Sequence, residues 1–185
     1  MKKMLFALCL ALWTVASIGC ATRAPKAPLA ASGQKIQIQF LCDRGDPATM
    51  ESRQFQYRQE VGAFMERDLL NRLNKSGYEA SQIQKREEFK SGPDRYLLTV
   101  KITMYNPGST AARMMVGYGA GAASMNTAYQ LFGADPQPVL EWTDGCGTSE
   151  HWSKIPRKLD ASAVKKITEK LAPAAGLILN QLIHP

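Results

Sequence analysis

An alternating run of residues, RYLLTVKITMY at positions 95–105, constrains the fold of this 185-residue chain more than any other stretch. Apolar side chains occupy every second position, a pattern that predicts a β-strand with one continuous apolar face. Those positions are Tyr96, Leu98, Val100, Ile102 and Met104. A strand of this kind must lie within a sheet whose apolar face is covered by another layer.

The remaining predicted elements are four strands and two amphipathic helices. The strands cover residues 35–41, 78–83, 125–132 and 138–143, and the last two face each other across the turn GADPQ. The first helix covers residues 55–74 and is stopped by Gly77. The second is C-terminal, begins at an N-cap formed by Asp160, and should be kinked or split at Pro173.

This order of elements predicts an α+β fold. We expect a two-layer sandwich, in which a mainly antiparallel sheet of four or five strands carries two helices on one face. The opposite face of the sheet is then left as a candidate surface for a partner.

The first 19 residues are typical of a secretory signal peptide. Lys2 and Lys3 form a positive start, and an apolar run from Leu5 to Val15 follows, too short to span a membrane. The residues Ser17, Ile18, Gly19 and Cys20 then resemble the lipobox of bacterial lipoproteins, with Ser17 where that family usually has Leu.

The lipobox resemblance implies that Cys20 becomes the first residue of the mature protein and carries acyl chains. Ala21 follows it, and in Gram-negative lipoproteins an Asp at that position tends to retain the protein at the inner membrane. The resemblance therefore implies the periplasmic side of the outer membrane. An ordinary cleaved secretory protein, or a leader retained as an anchor, stays open as the alternative.

Three segments follow from these boundaries: a signal peptide at 1–19, a lipidated N-terminus with a flexible Pro- and Ala-rich linker at 20–33, and a single domain at 34–185. The mature chain has 21 basic and 16 acidic residues, a net charge of +5. The basic residues are scattered, so we do not expect a nucleic acid as partner. The lipid anchor implies contact with a membrane, and we also expect a protein partner or a homo-oligomer.

Two cysteines, Cys42 and Cys146, remain once Cys9 leaves with the leader and Cys20 is lipidated. In an oxidising periplasm we expect them to form a disulfide. The alternative is a thiol enzyme or hydrolase that uses Cys146 with His151 and Glu141. The chain has only two histidines and no repeated ligand spacing, so neither a metal site nor a cofactor is expected.

A Gly-rich stretch, GYGAGAAS, follows the long strand. Gly117, Tyr118, Gly119 and Gly121 lie in it among small residues. A Gly-rich hairpin between two strands explains the glycines. The small-residue run extends beyond what a turn needs, so a contact surface for other protomers or the bilayer stays open as a second interpretation.

The stretch YLLTVKITMYNPGSTAARMMVGYGAGAASMNTAYQL resembles a family of uncharacterised bacterial outer-membrane lipoproteins. The order of elements is more distantly similar to the periplasmic α/β domain of the lipoprotein that forms the curli secretion channel, without its membrane-inserting hairpins. We expect a lipid-anchored, non-enzymatic envelope protein that binds or assembles with other envelope components.

Overall fold

The computed structural model describes residues 25–30, 32–109, 115 and 121–183, and the side chains within this part up to residue 172. In the described residues, strands and helices follow in the order β1 (Gln37–Asp43), α1 (Ser52–Ser76), β2 (Glu79–Gln82), β3 (Arg95–Asn106), β4 (Ala123–Phe132), β5 (Pro138–Thr148) and α2 (Lys154–Ile183). Short 3-10 turns occupy Pro47–Thr49 and Arg86–Glu88. The α+β class is confirmed.

The five strands form one sheet in the order β2-β1-β3-β4-β5. The pairs β1–β2 and β1–β3 are parallel, whereas β3–β4 and β4–β5 are antiparallel. The sheet is therefore mixed, with parallel pairing where the sequence predicted mainly antiparallel strands. The chain crosses back over the sheet twice, once between β1 and β2 and once between β2 and β3. These three strands are therefore parallel.

The ends of the sheet are defined by the strand directions. At the basal end β1, β2, β3 and β5 begin and β4 ends, and α1 also ends there, because Glu79 of β2 pairs with Gln37 at the start of β1. At the distal end β3 ends at Asn106 and β4 begins at Ala123.

The first helix ends as predicted, because Gly77 has a left-handed φ of 106° and its N–H donates to the carbonyls of Asn74 and Leu73. The second helix begins earlier than predicted, at Lys154. Asp160 therefore lies inside the helix, and its predicted role as N-cap is wrong. The helix continues past Pro173 to Ile183 without being split.

Both helices pack on the same face of the sheet, as predicted. The core between the layers is formed by the apolar stripes of α1 and α2 and the inward-facing residues of the strands. Its members include Val61, Met65, Leu69, Leu73, Ile155, Leu159, Ile167, Ile38, Phe40, Leu98, Val100, Ile102, Met125, Tyr129 and Leu131. The predicted strand face at Leu98, Val100 and Ile102 is confirmed.

A β-bulge interrupts that face after Ile102. The register between β3 and β4 shifts between Ile102 and Met104, so that Met104 pairs with Asn126. Met104 is consequently exposed, and Tyr105 turns inward to pack on the core in its place.

A second, smaller apolar cluster lies on the outer face of the sheet. The connection from β2 to β3 crosses β1 there and places Phe89 against Leu41, Ile83, Leu97 and Phe132. This crossover covers only the basal part of the outer face.

Candidate functional site

The predicted contact segment is only partly within the described residues. Gly117, Tyr118 and Gly119 lie outside them. Gly121 has a left-handed φ of 67°, and its carbonyl accepts a hydrogen bond of 2.9 Å from the backbone N–H of Ser109. Gly121 thus closes the base of the β3–β4 connection.

Gly108 completes the same closure. Its φ is 76°, and a Cβ built on it would lie 2.3 Å from the carbonyl oxygen of Gly121. A side chain at Gly108 would therefore collide with backbone. At Gly121 a Leu would adopt a strained φ. A loss of stability in a Gly121→Leu variant would therefore be caused by this backbone strain, and it would give no information about assembly.

The predicted disulfide between Cys42 and Cys146 is not formed, and both thiols are free. Cys42 lies in β1 in a row that continues through Val100 and Tyr129 to Trp142 of β5. Three interstrand steps of about 4.8 Å separate the strands by about 14 Å. A disulfide requires Cα atoms less than about 7 Å apart, so this correction follows from the strand order alone.

Cys42 lies near the end of β1 and lines a cleft together with Arg44, Gln59 and Glu66. The guanidinium of Arg44 donates to Gln59 Oε1 at 2.8 Å and to Glu66 Oε2 at 2.5 Å. Burial and, to a smaller extent, the Glu66 carboxylate raise the pKa of the Cys42 thiol to about 12, against the opposing effect of Arg44. A pKa above the ordinary range favours the protonated thiol, which is not the nucleophilic form.

The glycine at position 62 makes room for Arg44. A Cβ on Gly62 would lie 2.8 Å from the side-chain carbons of Arg44. Glycine inside a helix costs about 1 kcal/mol relative to alanine. The glycine lowers the stability of the helix by about this amount, but it leaves the space that the Arg44 side chain occupies. The cleft that Arg44 and Cys42 line has a volume of about 420 Å³.

Cys146 and His151, the residues of the alternative thiol-enzyme interpretation, make their hydrogen bonds with different groups. The Cys146 thiol contacts the carbonyl of Gly147, whereas His151 Nδ1 lies 2.9 Å from Ser153 Oγ. Asp144, the nearby carboxylate, accepts from Ser162 Oγ at 2.7 Å and contacts Lys166. Burial raises the pKa of Asp144, but the Ser162 hydroxyl and the Lys166 ammonium outweigh it, so the net shift is downward.

The candidate interaction site is the part of the outer sheet face that the crossover leaves uncovered, here called the open face. Its side chains alternate with the core residues of β3, β4 and β5, and most are exposed. They are Thr99, Lys101, Thr103, Ser124, Asn126, Ala128, Gln130, Glu141, Thr143 and Gly145. No described helix packs on this face.

The centre of the open face carries no charge. The outward residues of the central antiparallel strand, β4, are Ser124, Asn126, Ala128 and Gln130. Ala128 is flanked by Lys101 of β3 and Thr143 of β5. The outward side chains of β4 therefore form an uncharged strip between β3 and β5.

A buried polar row lies on the opposite, helix-covered face. The ring of Tyr129 stacks on Trp142 with centroids 4.7 Å apart and an interplanar angle of 6°. The Tyr129 hydroxyl, the Trp142 Nε1 and the Thr127 hydroxyl are buried there, and the two hydroxyls lie close to each other. Asp160 of α2 is fully buried and lies close enough to Tyr129 and Asp68 to interact with both.

Asp160 is the residue of this region that the sequence interpretation missed. Burial raises its pKa well above the usual value, and the neighbouring Asp68 carboxylate raises it further while Arg72 lowers it. The signal was present in the sequence, because Asp160 precedes Val164 by four residues and therefore lies on the apolar stripe of α2. An acidic residue on that stripe is a buried carboxyl rather than a cap.

The described N-terminal segment packs on the domain from Ala27 onward, before the predicted start of the domain at residue 34. The backbone N–H of Ala27 donates to the carbonyl of Ser76 at 2.7 Å, and Ala30 is part of the core. Leu29 forms an antiparallel bridge with Lys35. The predicted linker of residues 20–33 thus includes residues that pack on the domain.

No described group of three or more His, Cys, Asp or Glu side chains is arranged to hold a metal ion. None of the helices in the described part of the chain is both long and apolar enough to cross a membrane.

The family model described as Domain of unknown function (DUF4410) matches residues 30–149. Among curated proteins, none matches the chain.

Solved structures with similar coordinates include a PelC dodecamer from Paraburkholderia phytofirmans, at 12% identity and a TM-score of 0.41 over 80% of this chain and 92% of that chain. A minor lipoprotein from Acinetobacter baumannii matches at 11% identity and a TM-score of 0.38, over 75% and 94%. These values are too low to support an argument about function. The predicted likeness to the curli secretion channel stays a prediction.

Proposed function

The chain belongs to the DUF4410 family of domains of unknown function, and we propose that it is a lipid-anchored, non-enzymatic protein of the bacterial envelope. In this proposal it binds or assembles with other envelope components through the open face. The anchor is Cys20, and the location is the periplasmic side of the outer membrane.

The anchor part of the proposal is supported by the leader and its final cysteine. Each buried methylene of an acyl chain contributes about 0.8 kcal/mol, so several chains hold a protein firmly on a bilayer. Ala21 in place of Asp supports the outer membrane. On this basis we propose the outer membrane as the location of the anchor.

The uncharged strip at the centre of the open face is the observation that carries the binding part of the proposal. Charged residues are depleted at the cores of protein interfaces, and polar residues form their rims. In β4 four successive outward positions, from Ser124 to Gln130, are uncharged, and Lys101 and Glu141 lie at the sides. The strip thus shares one property of interface cores, the absence of charged side chains.

A thiol enzyme is less well supported. Cys42 has a raised pKa, the Cys146 thiol contacts the Gly147 carbonyl, and His151 contacts the Ser153 hydroxyl. A nucleophile needs a base within hydrogen-bond reach and a third group that orients the base. The described residues offer no such arrangement around either thiol.

We expect Ala128→Glu to abolish the association of the protein with its envelope partner while leaving the domain folded. The new carboxylate would pair with Lys101 in the free protein but would be desolvated at the centre of an interface. Chemical cross-linking in cells, followed by purification in mild detergent, should show at least about a tenfold loss of cross-linked complex.

Ala161→Glu is the matched control, because Ala161 is exposed on α2 and lies away from the open face. It adds the same charge and should retain the complex. Equal complex formation by both variants, with unchanged melting temperatures, would contradict a role for the open face.

A further inference from the structure

The point at which the chain joins the domain restricts how the domain can sit on its membrane. Ala27 is fixed to Ser76 at the end of α1, so only residues 21–26 lie between it and Cys20. Seven Cα–Cα steps reach at most about 25 Å. The predicted linker of residues 20–33 is therefore shortened to the six residues between Cys20 and Ala27, and Ala27 lies at the basal end of the sheet.

The distal end lies too far from this attachment point to be the first part to meet the bilayer. The ten residues of β4 span about 34 Å between the two ends of the sheet. Gly108 and Gly121, the described residues that flank the β3–β4 connection, lie at the distal end. A short basal tether therefore favours an orientation in which this connection points away from the membrane.

The surface around the attachment point has the chemistry of a membrane-contact patch. Leu29 is 60% exposed, one of few large apolar side chains in the described residues that face solvent. Lys26, Lys35 and Lys75 are exposed and lie next to Ala27, Leu29 and Ser76 respectively. In the described part of the chain, none of these three lysines forms an ion pair.

The mixture of one exposed leucine and three unpaired lysines suits the boundary of an anionic bilayer. Apolar side chains bury in the headgroup region, and lysines near the surface are attracted to anionic lipids. Lys75 also lies in the last turn of α1, where the helix dipole favours a cation.

We propose that Leu29, Lys26, Lys35 and Lys75 form a patch that rests on the anionic phospholipid headgroups of the bilayer holding the anchor. This inference rests on the proposed function, since it requires acylation of Cys20. It places the basal end on the membrane, and it directs the distal end and the upper part of the open face towards the periplasm.

The test uses the full-length mature, acylated protein in vesicles of phosphatidylethanolamine and phosphatidylglycerol. A photoreactive benzoylphenylalanine replaces Leu29 in one sample and Met115, which is 86% exposed in the β3–β4 connection, in another. Mass spectrometry then counts the peptides that carry a cross-linked phospholipid. We expect at least about ten times more lipid adducts at position 29 than at position 115.

The contribution of charge is tested with Lys35→Glu against Lys158→Glu, an exposed lysine in α2 that serves as the charge-matched control. Lys35→Glu should lower the adducts at position 29 at least about threefold in the anionic vesicles. It should leave them unchanged in vesicles of phosphatidylcholine alone.

The outcomes separate the two proposals. A mature chain without acyl groups would overturn the proposed function and this inference with it. An acylated chain with as many adducts at position 115 as at position 29 would overturn the membrane-contact patch alone. An unchanged number of lipid adducts at position 29 in the Lys35→Glu variant, measured in the anionic vesicles, would overturn the role of the anionic headgroups.

Discussion

Replacing Asp160 with Asn should raise the melting temperature of the folded protein, and by more at pH 8 than at pH 5. Asp160 is fully buried, and its carboxyl lies close to the Asp68 carboxylate. An amide of the same shape removes the buried acid and can donate a hydrogen bond to Asp68. The variant therefore keeps the packing and loses the electrostatic penalty.

The sign of the pH dependence follows from the raised pKa of Asp160. In the unfolded chain an Asp loses its proton near pH 4, whereas the folded protein retains it to higher pH. The folded state then binds more protons than the unfolded state, so stability falls as the pH rises from about 4 through the folded pKa. The variant lacks this fall.

The expected size of the effect is large for a single substitution. A change of 1 kcal/mol in stability shifts the melting temperature of a domain of this size by about 2–4 °C. We expect a gain of about 3 °C or more at pH 8, measured by thermal unfolding. Asp135→Asn, in the exposed β4–β5 turn, is the matched control and should change neither value.

A wild-type protein whose stability relative to Asp160→Asn is the same at pH 5 and pH 8 would contradict this account of Asp160. The carboxyl would then have the same proton affinity in the folded and unfolded states.

Replacing Cys20 with Ala should abolish acyl labelling of the protein completely and leave it as the uncleaved precursor. The thiol is the group that receives the first lipid in bacterial lipoproteins, and the resemblance assigns that role to Cys20. Labelling cells with a fatty acid that carries an alkyne, followed by detection of the purified chain, measures the result.

Cys9→Ala is the matched control, since Cys9 lies within the leader and should be removed with it. This variant should be labelled and processed like the wild type. Labelling that persists in Cys20→Ala would show that lipid is attached elsewhere, and the assignment of the anchor would fall.

Periodicity in the sequence predicted the parts of the fold that depend on local patterning. The strand face at Leu98, Val100 and Ile102, the helix stop at Gly77 and the common side of both helices are all confirmed. Each depends on residues that recur at intervals of two or about 3.6, or on a glycine that can adopt a left-handed φ.

Strand order and pairing direction could not be read in the same way. The crossover from β2 to β3 has no α-helix, so nothing in its sequence indicates a return to the basal end and a parallel β3. The predicted disulfide failed for the same reason, because the position of β3 and β4 between Cys42 and Cys146 is a property of the sheet as a whole.

Asp160 illustrates a different limit. Its residue type is common at helix starts, and its position four residues before Val164 equally places it on the buried stripe. Two local patterns competed, and the packing of α2 on α1 and the sheet decided between them.

Mass spectrometry of the wild-type protein, extracted from membranes in mild detergent, tests the central claim most directly. Under denaturing conditions we predict a subunit that begins at Cys20 and carries acyl chains. Under native conditions we predict that this subunit belongs to a complex heavier than one copy of the chain. An unmodified subunit that is found only as a single copy would contradict both the lipid anchor and the assembly through the open face.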